Sequence, residues 1–127
     1  MKLSEKQQIF AQNISKLIAW IFAQPGYSVT LGEVLRPEEM QLLYFEGYTI
    51  SKEANGLHLV KAAKKSKTMN SQHLKKLAID LNLFIDGIYQ SGKEPYKPLA
   101  EYWKGLHPDN VAGYDWGWDS NHFQMKG

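Results

Sequence analysis

Cysteine is absent from the 127 residues of this chain. That excludes a disulfide framework and any thiolate-held metal, so a metal site here has to be built from imidazole and carboxylate. Long apolar runs are absent as well. The longest, Leu17–Ala23, falls far short of the roughly 20 residues that cross a bilayer, and no stable membrane insertion is expected. The polar start, Met1-Lys2-Leu3-Ser4-Glu5-Lys6, lacks the layout of a cleavable signal peptide, so the chain is expected to be made in the cytoplasm. Arginine occurs once, at Arg36, and the formal net charge is only +2. With so little excess charge, no aromatics interleaved with the lysines and no recognised nucleic-acid motif, no nucleic-acid partner is expected. Internal repeats and linker-like stretches are also missing.

What is present suits a small globular protein. Apolar residues make up 43% and aromatics 13%, enough for one core, and the length fits one domain spanning 1–127. Ser4 is placed to cap a helix running to about Gln24, with Phe10, Ile14, Leu17, Ile18 and Ile21 near helical spacing and Pro25-Gly26 as the stop. Tyr27–Arg36 reads as a strand. Pro37 opens a short helix to about Phe45. Residues 46–70 read as loop, with a short strand or turn near Leu57–Val60. Residues 77–84 are a firm strand, Asp86-Gly87 a turn, 92–98 a loop, and Leu99–Leu106 a helix ended by His107-Pro108. The class is α+β: a small antiparallel sheet packed against an N-terminal helix and short helices.

Two segments carry chemistry. In Leu77-Ala78-Ile79-Asp80-Leu81-Asn82-Leu83-Phe84, the residues alternate, so the aliphatic side chains share one face while Ala78, Asp80 and Asn82 share the other. Aspartate is unfavourable in a strand, and its place there calls for an explanation. Ser71 and His73 precede this strand, beyond Lys75-Lys76. Near the C-terminus stands Asp119-Ser120-Asn121-His122. Either one turn places Asp119 and His122 on the same side, or a loop presents Asp119 while His122 starts a strand. Two histidines and an aspartate (His73, Asp80, His122) are the ligand set of a hydrolytic Zn²⁺, which keeps a fourth position open for water. Asp119 is then the group that can take the proton from that water.

These residues resemble the zinc peptidases of bacterial cell-wall peptides, the D-Ala-D-Ala carboxypeptidases and phage L-alanyl-D-glutamate endopeptidases. Their pattern is Ser-x-His-x6-Asp followed much later by Glu/Asp-x-x-His. Ser71, His73 and Asp80 match the first half, and Asp119 and His122 the second; Leu77–Phe84 also reads like the phage-type members. The resemblance covers roughly residues 27–125, which makes that span the catalytic core behind an N-terminal helix of about 4–24. Lys76 stands where those proteins commonly carry glycine, and the base is Asp119 rather than the more frequent glutamate. The resemblance implies His73, Asp80 and His122 as zinc ligands and Asp119 as general base. It implies Ser71 as a residue supporting substrate or a ligand, against a plain turn role. It implies Arg36 as the donor to the substrate carbonyl or carboxylate, suited by its fixed fork of N–H groups, against a solvated arginine.

The expected activity is zinc-dependent hydrolysis of peptidoglycan stem peptides by a monomer. A phage or prophage endolysin cutting L-Ala–D-Glu, released across the inner membrane of its host, is the leading form. The alternatives are a D-Ala-D-Ala carboxypeptidase and a non-catalytic wall-binding domain. Trp116 and Trp118 are expected in the core slightly ahead of the cleft wall, and Tyr114 can line the cleft. His58 and His107 read as ordinary surface or hydrogen-bonded histidines. The segment Lys61–Lys76 holds six lysines and no acid; it is either a solvated face or a surface drawn to anions.

Overall fold

The computed structural model describes residues 1–127. The chain opens with helix α1, Leu3–Ala23, which buries Phe10, Asn13, Ile14, Leu17 and Ile21 along one stripe. Ser4 lies inside its first turn and does not cap it. The helix start is held instead by Glu5, whose carboxylate accepts from the Lys2 backbone N–H at 3.0 Å. Pro25-Gly26 ends the helix as expected, with Gly26 at φ 78°, and strand β1 follows at Tyr27–Leu31. Helix α2 is Glu38–Glu46. An antiparallel hairpin, β2 (Tyr48–Glu53) with β3 (Gly56–Lys61), occupies much of the region read as loop. Its strands are mostly exposed, Ile50, Leu57 and Leu59 among them, so no buried face marks them in the sequence.

Strand β4, Ala78–Ile85, is the centre of the main sheet. It turns through Asp86-Gly87, both at positive φ, into the short β5, Ile88–Tyr89. Helix α3 (Lys97–Leu106) precedes β6 (Asn110–Ala112) and β7 (His122–Met125). The main sheet runs β1-β4-β7-β6 with β5 beside β4, and every pairing is antiparallel. Leu77, Ile79, Leu81 and Leu83 are buried on one face of β4. They meet α1 and α3 in a core that includes Trp103, Leu99 and Phe123. Phe10 packs edge-on to Trp103 at 5.7 Å, and Trp20 stacks on Tyr102 at 4.8 Å. The Trp103 indole N–H is shared between the carbonyls of Val111 and Gln124, each at 3.1 Å, which fastens α3 to β6 and β7.

Strand β1 is shorter than the reading of 27–36. Its register with β4 ends at Leu31 opposite Leu81. Beyond it Gly32 N–H donates to the Asp80 carbonyl at 2.7 Å, while Asp80 N–H donates to the Glu33 carbonyl at 3.0 Å. Two residues thus face one, as in a β-bulge, and the bulged strand bends away. A Cβ at position 32 would lie 3.0 Å from the Asp80 Cβ and carbonyl oxygen, so glycine is what lets the strands approach here.

Lys76 sits at φ 56°, ψ 37°, ending the 3-10 turn Gln72–Lys75 in the left-handed region. That conformation favours glycine. Lys76→Gly should therefore raise stability by roughly 0.5–1 kcal/mol, the left-handed penalty less glycine's own entropy cost. Thermal or urea unfolding measures this, and an unchanged or lowered midpoint would contradict it.

Candidate metal centre

The register of β4 with β7 sets Asp80 directly opposite His122. Both side chains leave the sheet on the face away from the aliphatic core. The Gln72–Lys75 turn brings His73 over the same spot, its N-terminus capped by Ser71, whose Oγ accepts from His73 N–H at 3.2 Å. His73 and His122 are buried, and their rings lie 5.0 Å apart edge-on. Asp80 Oδ1 is 3.4 Å from His73 Nε2 and 3.2 Å from His122 Nδ1. One ligand atom from each of the three lies within 4.8 Å of the others.

The outer nitrogens fix what these inner ones present. His73 Nδ1 is 3.0 Å from the Val34 carbonyl, which can only accept, so Nδ1 carries the proton and Nε2 offers a lone pair. His122 Nε2 is 2.8 Å from Gln124 Oε1; by the same logic Nδ1 is bare. Two imidazole lone pairs and a carboxylate oxygen therefore converge. Such a group of acceptors is repulsive unless a cation or proton sits among them. Ligand bonds of about 2.0–2.2 Å in a tetrahedron set the ligands about 3.3 Å apart, and the two measured edges agree. Nitrogen and oxygen donors without sulfur suit a divalent transition ion.

Without a metal, protons answer the same electrostatics. Burial works to raise the Asp80 carboxyl, but hydrogen bonds and charge from His122 and His73 outweigh it and hold Asp80 at about 2. Burial works to lower His122, yet Asp80, Gln124 and Asp119 together raise it above the ordinary histidine value. Asp119 is raised, first by burial and then by Asp80, against the opposing pull of His122.

Asp119 is half-buried, and its Oδ2 lies 3.7 Å from His122 Nδ1. Its carbonyl accepts the His122 N–H at 3.1 Å, so a turn presents the aspartate just before the strand begins. Gly113 lies beneath this turn. A Cβ there would collide with the Asp119 carbonyl oxygen and stand 2.9 Å from the His122 Cβ. Ser71, His73, Asp80, Asp119 and His122 all face one open cleft of about 580 Å³, a volume suited to a peptide or small ligand.

Arg36 lines the cleft but is heavily engaged. Its Nε donates to Glu33 Oε1 at 2.7 Å, its Nη1 to Gln41 Oε1 at 2.8 Å, and its Nη2 is paired with Glu33. The guanidinium also lies 4.9 Å over the Tyr44 ring. Trp116 and Trp118 are exposed, against the reading that favoured the core. They stack on each other at 5.8 Å, and Trp116 covers His122 at 5.2 Å. The loop Asp115–Asp119 has no second layer to bury them, so they wall the cleft. Tyr114 packs against the core and bonds Glu94 at 3.3 Å, away from the cleft lining. His58 is on the hairpin beside Asn55, and His107 accepts the Asp109 N–H past α3. Glu33, Gln41 and Gln124 were not singled out from sequence. For Gln124 a signal existed: it is two residues from His122 in a strand and so shares its face.

Comparison with protein-family models finds no match, and comparison with curated proteins finds none either. Among solved structures the chain is similar to the Serratia marcescens L-Ala D-Glu endopeptidase ChiX. The TM-score is 0.65 at 18% identity, over 92% of this chain and 77% of that one. At that identity the likeness is one of fold.

Titrating the metal-free protein with a divalent transition ion should show a single site, lost when His73, Asp80 and His122 are all replaced by alanine. Gln124→Leu should keep the fold and weaken binding by roughly 10–100-fold, because the His122 tautomer is no longer held. Since His122 is raised when metal-free, a proton competes for Nδ1 across neutral pH. Affinity should fall as pH drops through that range, by up to about tenfold per pH unit. Affinity independent of pH between 5 and 8 would contradict His122 as a ligand.

Proposed function

We propose that this protein is a zinc-dependent peptidase of peptidoglycan stem peptides, a phage or prophage endolysin that hydrolyses the L-Ala–D-Glu bond. The observation that carries the reading is the convergence of two bare imidazole nitrogens and a carboxylate beside a second acidic group, on a fold shared with an L-Ala D-Glu endopeptidase. Hydrolysis of an amide needs an activated water, a proton acceptor and stabilisation of the developing oxyanion. His73 Nε2, Asp80 and His122 Nδ1 would hold the zinc, which would supply Lewis acidity to the water and the scissile carbonyl.

The protein's own groups do the rest. Asp119, made more basic by burial, takes the water proton and returns it to the leaving amine. A binding-only descendant has no use for that carboxylate, which favours the enzyme over the wall-binding alternative. Val34 and Gln124 keep the two histidines in their ligating tautomers. Trp116 shields His122 from solvent. Ser71 caps the turn that carries His73 and retains its hydroxyl proton for a substrate oxygen. Of the five guanidinium N–H groups, those of Arg36 not taken by Glu33 and Gln41 are the remaining donors for the carbonyl.

Asp119→Ala should bind zinc as the parent does and lose roughly 10²–10⁴-fold in rate, the usual contribution of a positioned general base. The assay is digestion of purified peptidoglycan, followed by product mass. New N-terminal D-Glu identifies the endopeptidase and released D-Ala the carboxypeptidase. A variant that cuts as fast as the parent would remove Asp119 from the mechanism. A zinc-loaded parent that cuts no wall material leaves only a binding role.

A further inference from the structure

The lysine-rich segment that follows the hairpin is drawn over the cleft, and two of its side chains have no acidic partner. Lys65 and Lys67 both line the cleft, and neither forms an ion pair within the protein. Each ammonium group rests instead near an aromatic ring: Lys65 at 5.4 Å from Tyr44, Lys67 at 5.5 Å from Trp118. Such contacts hold an ammonium loosely when exposed, so either group can leave its ring for a stronger partner.

The backbone beneath them is not loose. Lys65 N–H donates to the Tyr44 carbonyl at 3.0 Å. The fully buried Gln41 donates to Ser66 Oγ at 2.9 Å and to the Thr68 carbonyl. Gln41 in turn accepts from Arg36, which is paired with Glu33. A chain of polar contacts therefore runs from the bulge beside Asp80 to the lysine loop and fixes the loop relative to the metal-binding residues.

The charges of the cleft decide what it attracts. Its cationic side chains are Arg36, Lys65 and Lys67, and its acidic ones are Glu33, Asp80 and Asp119. Glu33 is committed to Arg36, and a divalent ion held at the site would offset Asp80 and Asp119. The two lysines are the surplus, facing an opening lined mainly by polar residues. The geometry points to a carboxylate-reading subsite formed by Lys65 and Lys67, which selects peptides bearing a free acidic group next to the bond being cut. This rests on the peptidase reading above and adds which substrates that site prefers. In a peptide with an L-Ala–D-Glu bond the carboxylate of the glutamyl residue is such a group. The lysines act on binding; they are not placed at the reacting atoms.

The test uses an L-Ala–D-Glu peptide and the same peptide with its free glutamyl carboxylate amidated. Binding is measured on zinc-loaded protein carrying Asp119→Ala, whose slowed turnover leaves the peptide intact during the measurement, by the change in tryptophan fluorescence. The acid form should bind roughly tenfold more tightly than the amide, the scale of one charge-assisted hydrogen bond in a partly desolvated site. Adding Lys65→Gln with Lys67→Gln should remove that preference and leave the amide's affinity unchanged; both residues are exposed, so the fold is not at risk. In the otherwise native enzyme the same pair of substitutions should raise KM for the acid peptide with kcat nearly constant. Equal affinity for the two peptides, or a preference that survives the double substitution, would overturn the subsite. A protein that binds the acid form preferentially but hydrolyses neither peptide supports the subsite and sinks the peptidase reading.

Discussion

Three electron pairs aimed at one point are the constraint on which the rest of this protein turns. Asp80, His73 and His122 come from a strand, a turn and a second strand, and none of them can relax away alone. Asp80 and His122 are locked by strand register. The two imidazoles are locked by what their outer nitrogens donate to, the Val34 carbonyl and Gln124. Acceptors held this close are costly in a partly buried site unless a positive charge joins them. The raised His122 and depressed Asp80 are the protonic form of that demand, and a divalent metal ion would meet it as well.

The surrounding architecture reads as support for that point. Bulging at Gly32-Glu33 ends the regular pairing of β1 beside Asp80 and carries the Val34 carbonyl to His73. The bend also starts the Glu33–Arg36–Gln41 chain, which reaches the loop at Ser66 and Thr68. On the other side, the Trp103 indole bridges β6 and β7 from within the core, holding the strand that carries His122 and Gln124. Gly113 leaves room for the turn that presents Asp119. Core packing and site geometry are thus coupled through backbone groups. A side-chain change in the core that shifts β7 would be felt at the candidate metal ligands.

Arg36 illustrates how a residue can be noticed for one reason and positioned by another. As the lone arginine before a proline, it drew attention as a carbonyl donor. In the fold it is also a brace, its guanidinium spanning Glu33 and Gln41 and covering Tyr44. A planar fork with several donors suits that bracing. The tryptophans show the reverse case. Trp116 and Trp118 look like core by size, but they lie on a loop with no layer above it, and their rings wall the cleft instead.

The α+β class, the stop at Pro25-Gly26, the turn at Asp86-Gly87 and the aliphatic face of β4 were all legible in the sequence, because each follows from local periodicity or backbone preference. His73, Asp80, Asp119 and His122 were singled out by residue type together with a resemblance to a family pattern, and the fold brings all four to one cleft. Of the hairpin, β3 was legible in part as the short strand near Leu57–Val60, while β2 was hidden because its residues are mostly exposed and form no buried face. The bulge, the Val34 carbonyl as tautomer-setting acceptor and the Gln41 link were invisible because backbone groups and long-range partners leave no mark on composition or period. Sequence therefore determined which donors this protein possesses. Tertiary structure alone decided that Asp80 faces His122, which nitrogen of each ring is bare, and that two lysines overhang the cleft, since all three depend on strand register and on contacts between segments distant in the chain.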